Sequence, residues 1–213
     1  MPPEPARGQA ERTWPAWAAT LLVAVAAWCA PMPARAQGMP KEIDVEAAYL
    51  VNFLRYTQWP ERSFQSQDSP LVVTVIGTDS VAARVRAVAA AAGRVGGRRI
   101  EVRSLPFSRG SLDAPLRSER DREILLQMRA SHLVYFHGAS AELHPKVLAD
   151  LWGQPVLTVS NSPGFTSAGG MIGLFRSGRN IVFDANPVAI RNSGLQVSAK
   201  VLKLARATAR TPR

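Results

Sequence analysis

The alternation of apolar and polar positions divides the chain into helical and extended segments. Over residues 41–59, Ile43, Ala47, Leu50, Val51 and Leu54 recur at the 3.6-residue period of a helix. Asp44 and Glu46 stand in its first turns, where the helix dipole favours negative charge, and Pro60 is placed to end it. Tyr49, Phe53 and Tyr56 form an aromatic stripe beside the first, a pattern that ordinarily packs against a core. Residues 71–76 are an unbroken apolar run closed by Gly77, as in a strand covered on both faces. A helix is expected over 80–92, capped by Ser80 and ending near Gly93. The alternation at 99–103 predicts a more exposed strand, and 117–129 a charged amphipathic helix. Further strands are expected at 132–136 and 155–159, with a helix over 141–152 between them.

Strands that alternate with helices predict an α/β fold, a single three-layer domain with a mainly parallel sheet. The end of the chain changes character. After a Gly/Ser loop at 161–170, short strands at 171–175 and 180–184 predict a hairpin turning at Ser177-Gly178. Asn186-Pro187 then starts a helix, and a last helix is expected over 195–207. The chain therefore closes on a C-terminal β-hairpin plus helices, with 207–213 a flexible basic tail.

The first 36 residues do not continue this pattern. Arg7 and Arg12 precede an uncharged stretch over 14–30, Pro31 and Pro33 break any helix, and Ala34-Arg35-Ala36 has the small-x-small form of a signal peptidase site. The expected organisation is a cleaved signal peptide at 1–36 and one domain at 37–213. Cleavage would remove Cys29, the only cysteine of the chain. An exported protein without cysteine must stand on its core alone, and a disulfide scaffold or a thiolate metal site within one chain is excluded.

The net charge is +10, from 26 basic and 16 acidic residues. Inside a cell that balance would suggest nucleic acid. Outside, it suggests acidic protein surfaces, anionic lipid or anionic small molecules, and no nucleic-acid partner is expected. Enzyme signals are weak. The Gly-x-Ser-x-Gly elbow is absent, and Ser160 after a strand has no evident base, so a turn serine is expected there. His132, His137 and His144 are too scattered for a metal pattern, and neither metal nor cofactor is expected. Gly77-Thr78-Asp79-Ser80 lies at the carboxyl end of a strand, where open α/β sheets bind ligands, but lacks the spacing of a phosphate-binding loop.

Two basic features stand out. Arg176 and Arg179 would face each other across the expected hairpin, a repulsion that an anion or acidic partner would relieve. Lys200, Lys203, Arg206 and Arg210, spaced 3, 3 and 4, would share one face of the last helix. That face is either solvated or a docking strip for an acidic partner or membrane headgroups.

Two stretches carry a resemblance. One is Ala48-Tyr49-Leu50-Val51-Asn52-Phe53-Leu54-Arg55-Tyr56-Thr57-Gln58-Trp59-Pro60. The other runs from Val156-Leu157-Thr158-Val159-Ser160 through Gly164-Phe165, Gly169-Gly170-Met171-Ile172-Gly173 and Asn186 to Gly194-Leu195-Gln196-Val197-Ser198-Ala199-Lys200-Val201-Leu202-Lys203-Leu204-Ala205. With Val72 to Gly77 and Val95-Gly96-Gly97-Arg98 they resemble the YfiR (HmsC-like) family of exported bacterial proteins over nearly all of the domain. The resemblance implies a periplasmic regulator that restrains an inner-membrane diguanylate cyclase by binding its periplasmic sensor region. Releasing that hold raises cyclic di-GMP and favours biofilm. Related domains also occur beside histidine kinases. The disulfides that tune some members have no counterpart here, Asp184-Ala185-Asn186 stands where Glu-x-Asn is more frequent, and Ser198-Ala199 where two serines are usual.

The expectation is a non-enzymatic module acting by binding. Tyr49, Phe53 and Tyr56 would anchor a partner or a second copy of the chain, and Lys200, Lys203 and Arg206 would steer toward an acidic periplasmic domain. A second reading is a small-ligand sensor, with Arg176, Arg179 and Asp79 meeting an anionic metabolite.

Overall fold

The computed structural model describes residues 42–106, 119–138 and 144–206. The expected signal segment and basic tail, with Arg210, lie outside the described residues. Those described belong to one compact unit, Pro40–Arg213. None of their helices is long and apolar enough to cross a membrane.

Helix α1 (Glu42–Arg55) carries Ala47, Leu50, Val51 and Leu54 into the core, as their period requires. Strand β2 (Leu71–Gly77) is buried almost throughout and leads into α2 (Asp79–Ala92), whose N-cap is Thr78 rather than Ser80. The two-residue strand β3 (Arg94–Val95) folds back on β4 (Arg98–Pro106). Gly96 and Gly97 both take positive φ between them, which a two-residue primed turn demands. Then come α3 (Glu119–Arg129), β5 (Leu133–Phe136), α4 (His144–Leu151) and β6 (Leu157–Ser160). The hairpin β7 (Ile172–Ser177) and β8 (Asn180–Ala185) is followed by α5 (Pro187–Asn192). Its Asn186 side chain caps the amides of Val188 and Ala189.

The main sheet runs β3-β4-β2-β5-β6-β7-β8. Its five central strands, β4 to β7, are parallel, with antiparallel β3 and β8 at the edges. The chain moves from β2 outward to β4, then reverses to β5 and beyond, so its direction switches between β2 and β5. Right-handed crossovers place the connecting helices on opposite faces before and after such a switch. Accordingly α1 and α2 pack with Val73, Val75, Leu133 and Tyr135 on one face. Helices α3 and α4 pack with Ile76, Val134, Phe136 and Phe165 on the other. The architecture is the expected α/β domain.

Three local expectations are corrected. Helix α1 stops at Arg55, and β1 (Thr57–Gln58) pairs with β9 (Gln196–Val197) in a separate two-stranded sheet. For the same reason no helix spans 195–207. The Ser198 amide donates to the Tyr56 carbonyl at 2.8 Å, and the Ser198 side chain caps a short α6 (Ala199–Leu202). The hairpin turns one residue later than expected, at Gly178-Arg179, with Ser177 opposite Asn180 and Arg176 opposite Ile181. Gly178 has φ +61°, a left-handed conformation that strains other residues.

Candidate functional site

Helix α1 and the β7–β8 hairpin build one side of the molecule. Phe53 is buried, its ring 5.2 Å edge-on from Phe183. Tyr49 stacks on Phe53 at 5.8 Å and donates its hydroxyl to the Ile181 carbonyl at 2.9 Å. The anchor expected of Phe53 is therefore corrected: its ring holds the hairpin against α1 and is closed to a partner. Tyr56, just beyond the helix end, is 47% exposed. It borders a cleft with Arg55, Gln58, Gln196 and Ser198.

The basic residues divide into two groups because the last helix is short. Lys200 and Lys203 are exposed on α6 and its end, directly after the Ser198–Tyr56 contact. Arg206 lies beyond the helix, so the expected common face with Lys200 and Lys203 is corrected. Its amide donates to the Phe183 carbonyl at 2.9 Å and its guanidinium to the Ser177 hydroxyl, which ties it to the hairpin.

Arg176 and Arg179 line a groove of about 510 Å³ with Glu42, Tyr49 and Ile181. Arg176 does not oppose Arg179; it forms an ion pair with Glu42, which raises its pKa above the usual arginine value. The structure thus brings Tyr49, Arg176 and Arg179 together. Asp79 is elsewhere, at the carboxyl end of β2, where its Oδ1 accepts from the Ser104 hydroxyl at 2.9 Å.

A further polar centre escaped the sequence reading. Glu46 is buried under α1 at the carboxyl end of the sheet. Its Oε2 accepts from the Tyr135 hydroxyl at 2.7 Å and its Oε1 from the Asn161 amide at 3.2 Å. His137 Nδ1 lies 3.4 Å from the carboxylate and 3.0 Å from both the Tyr135 hydroxyl and Asn161 Nδ2. Burial pushes the Glu46 pKa up, but the hydrogen bonds from His137, Tyr135 and Asn161 together win and hold it below the ordinary 4.5. Burial, then the Glu46 charge, pushes the Tyr135 phenol up. The centre staples α1 to β5 and to the loop after β6. Its signal was Glu46 sharing the face of Ile43, Leu50 and Phe53, where a carboxylate needs buried partners.

Ser160 is buried, donating to the Phe136 carbonyl at 2.9 Å and accepting from the Ser162 amide at 3.0 Å. Among the described residues no three His, Cys, Asp or Glu side chains gather as metal ligands would.

A family model described as YfiR/HmsC-like matches residues 43–206. No curated protein matches the sequence significantly. Among solved structures, a conserved domain protein from Vibrio cholerae O1 biovar El Tor str. N16961 is similar, with a TM-score of 0.57 at 10% identity. The likeness covers 78% of this chain and 60% of that one, so this chain spans about three fifths of the chain it matches. At that identity the likeness concerns the fold alone.

Proposed function

The chain belongs to the YfiR/HmsC-like family, and on that premise we propose that it is an exported periplasmic regulator. It binds the periplasmic sensor region of an inner-membrane signalling protein and represses a diguanylate cyclase, lowering cyclic di-GMP and biofilm formation. The observation that carries this reading is the family match, which spans the folded domain from the first turn of α1 to Arg206. The docking strip is Tyr56 with Lys200 and Lys203. An exposed aromatic ring, with two exposed cations on the helix capped by the Ser198 that its backbone contacts, suits an acidic face of a sensor domain. The action is binding rather than catalysis, in keeping with the hydrogen bonds that occupy both roles of the buried Ser160 hydroxyl. Arg176 is neutralised by Glu42, which favours a protein partner over an anion bound in the hairpin groove.

Crosslinking of the tagged protein in its native host, with mass spectrometry of captured membrane proteins, tests the reading. Recovery of a membrane protein with a periplasmic sensor and a cytoplasmic cyclase domain is expected. Lys200→Glu with Lys203→Glu should abolish that capture while leaving the melting temperature unchanged. Recovery of a histidine kinase instead would replace the output, and no membrane partner at all would overturn the proposal.

A further inference from the structure

The parallel ladder between β6 and β7 stops at Ser160 and Gly173, while β7 runs on through Leu174 and Phe175. The loop after β6 and this extension of β7 line a cavity of about 330 Å³. It lies beyond the carboxyl end of β6, where open α/β sheets take their ligands, and its size is that of a small-molecule site. Its walls are mainly apolar, from Pro163, Phe165, Leu174 and Phe175, and among the described residues no basic side chain lines it.

Among the described residues one charge stands in that lining, the half-buried carboxylate of Asp184. Asp184 faces Gly173 across the β7–β8 ladder. Its Oδ2 accepts from the hydroxyl of the buried Thr166 at 2.8 Å, which fixes the carboxylate. Its Oδ1 lies over Gly173, where a Cβ would collide with it. Oδ1 makes no hydrogen bond or ion pair among the described residues and, unlike the buried Thr57 hydroxyl, keeps accessible surface. The chain carries a net charge of +10, yet the fold brings none of its described cations to this carboxylate. A carboxylate withdrawn from water among apolar groups is short of partners, and the partner it favours is a cation that donates a charge-assisted hydrogen bond.

We propose that this cavity binds a small organic cation, a protonated amine on an apolar or aromatic body. The ammonium donates to Asp184 Oδ1, and the body lies between the loop and β7. Gly173 leaves room for the carboxylate, and Thr166 is its positioning residue. None of these residues belongs to the strip of Tyr56, Lys200 and Lys203, and the test does not depend on the regulatory partner.

Phenethylamine is titrated into the ¹⁵N-labelled protein at pH 7 and constant ionic strength, with 2-phenylethanol, its uncharged counterpart, titrated in parallel. Saturable shifts of the Gly164, Gly173 and Phe175 amides are expected with the amine, accompanied by a rise in melting temperature. The alcohol should bind about tenfold more weakly or worse, since it lacks the charge-assisted bond. Asp184→Asn, which keeps an oxygen for the Thr166 hydroxyl, should weaken amine binding by a similar factor. The absence of a saturable shift at those amides with the amine would overturn the proposal. So would equal binding of amine and alcohol, which would mean an apolar crevice without a charge site, or wild-type affinity in Asp184→Asn. Should that variant fail to fold, the comparison of amine with alcohol on the wild type decides alone.

Discussion

Acidification puts the packing of His132 to a quantitative test. The imidazole titrates near 6.5 in the unfolded chain and near 4 in the fold, chiefly because burial disfavours its charged form. The unfolded state therefore binds the proton first as the pH falls. A folded pKa depressed below the unfolded one makes the stability of the native state decline from about pH 6.5 and level off below about pH 4. Integrating the proton linkage between pH 7 and pH 5 gives a loss of about 2 kcal/mol from this one ring. Against the ~5–15 kcal/mol that holds ordinary domains together, that loss is readily measured.

The assay is urea unfolding at pH 7, 6 and 5, in buffers free of phosphate and carboxylate, for the wild type and His132→Asn. The asparagine side-chain oxygen can accept the Val72 amide in place of Nδ1, while removing the titration. It also loses the ring stack on Phe64, so the variant starts less stable at every pH. The informative quantity is the change with pH. The wild type should lose about 2 kcal/mol more than His132→Asn between pH 7 and 5. Equal losses would mean that His132 takes up its proton alike in both states, and would refute the account of a neutral, buried ring.

Other parts of the fold make their own commitments. Tyr135→Phe removes the hydroxyl that donates to Glu46 at 2.7 Å; it should cost about 2 kcal/mol in urea unfolding, as charge-assisted bonds do. Glu46 has a depressed folded pKa, so its contribution is present above 4.5 and lost as the pH falls through the folded value. Tyr135→Phe should move that loss to higher pH, visible as an earlier acid transition by circular dichroism. A Cβ at Gly170 would collide with the buried Phe165 ring, so Gly170→Ala should destabilise by about 1–3 kcal/mol on chemical unfolding. Arg176→Ala should leave the melting temperature unchanged, because its pair with Glu42 is exposed to solvent.

The order of helices and strands was legible because it rests on local patterns. The apolar run closing at Gly77 needs cover on both faces wherever it lies, and the period of Leu50, Val51 and Leu54 admits only a helix. The hairpin register was also readable, though it was misplaced by one residue. A two-residue turn of type II′ takes glycine at its first central position, which puts Gly178 and Arg179 at the tip and sets Arg176 against Ile181. The end of α1 and the breakup of the last helix were not readable locally. Thr57 pairs with Val197 across almost the whole domain, and neither segment alone announces the other.

The same separation hid the polar centre, and it changes what the first helix does. In sequence, Glu46 passes for a carboxylate complementing the helix dipole, and the aromatic stripe either for core packing or for a partner's anchor. In the fold, Glu46 is held by Tyr135 from β5 and Asn161 from the loop after β6. Phe53 and Tyr49 face Phe183 of the hairpin. Helix α1 is thereby fastened at two places, its carboxylate to the parallel strands and its rings to the antiparallel edge. A helix committed in this way has little of that face left for a partner. What remains exposed is the ring just past its end, and the β1–β9 pairing brings the Tyr56 backbone to Ser198, the cap of α6. The proposed docking strip therefore depends on a long-range contact, Thr57 with Val197, that no local pattern could supply.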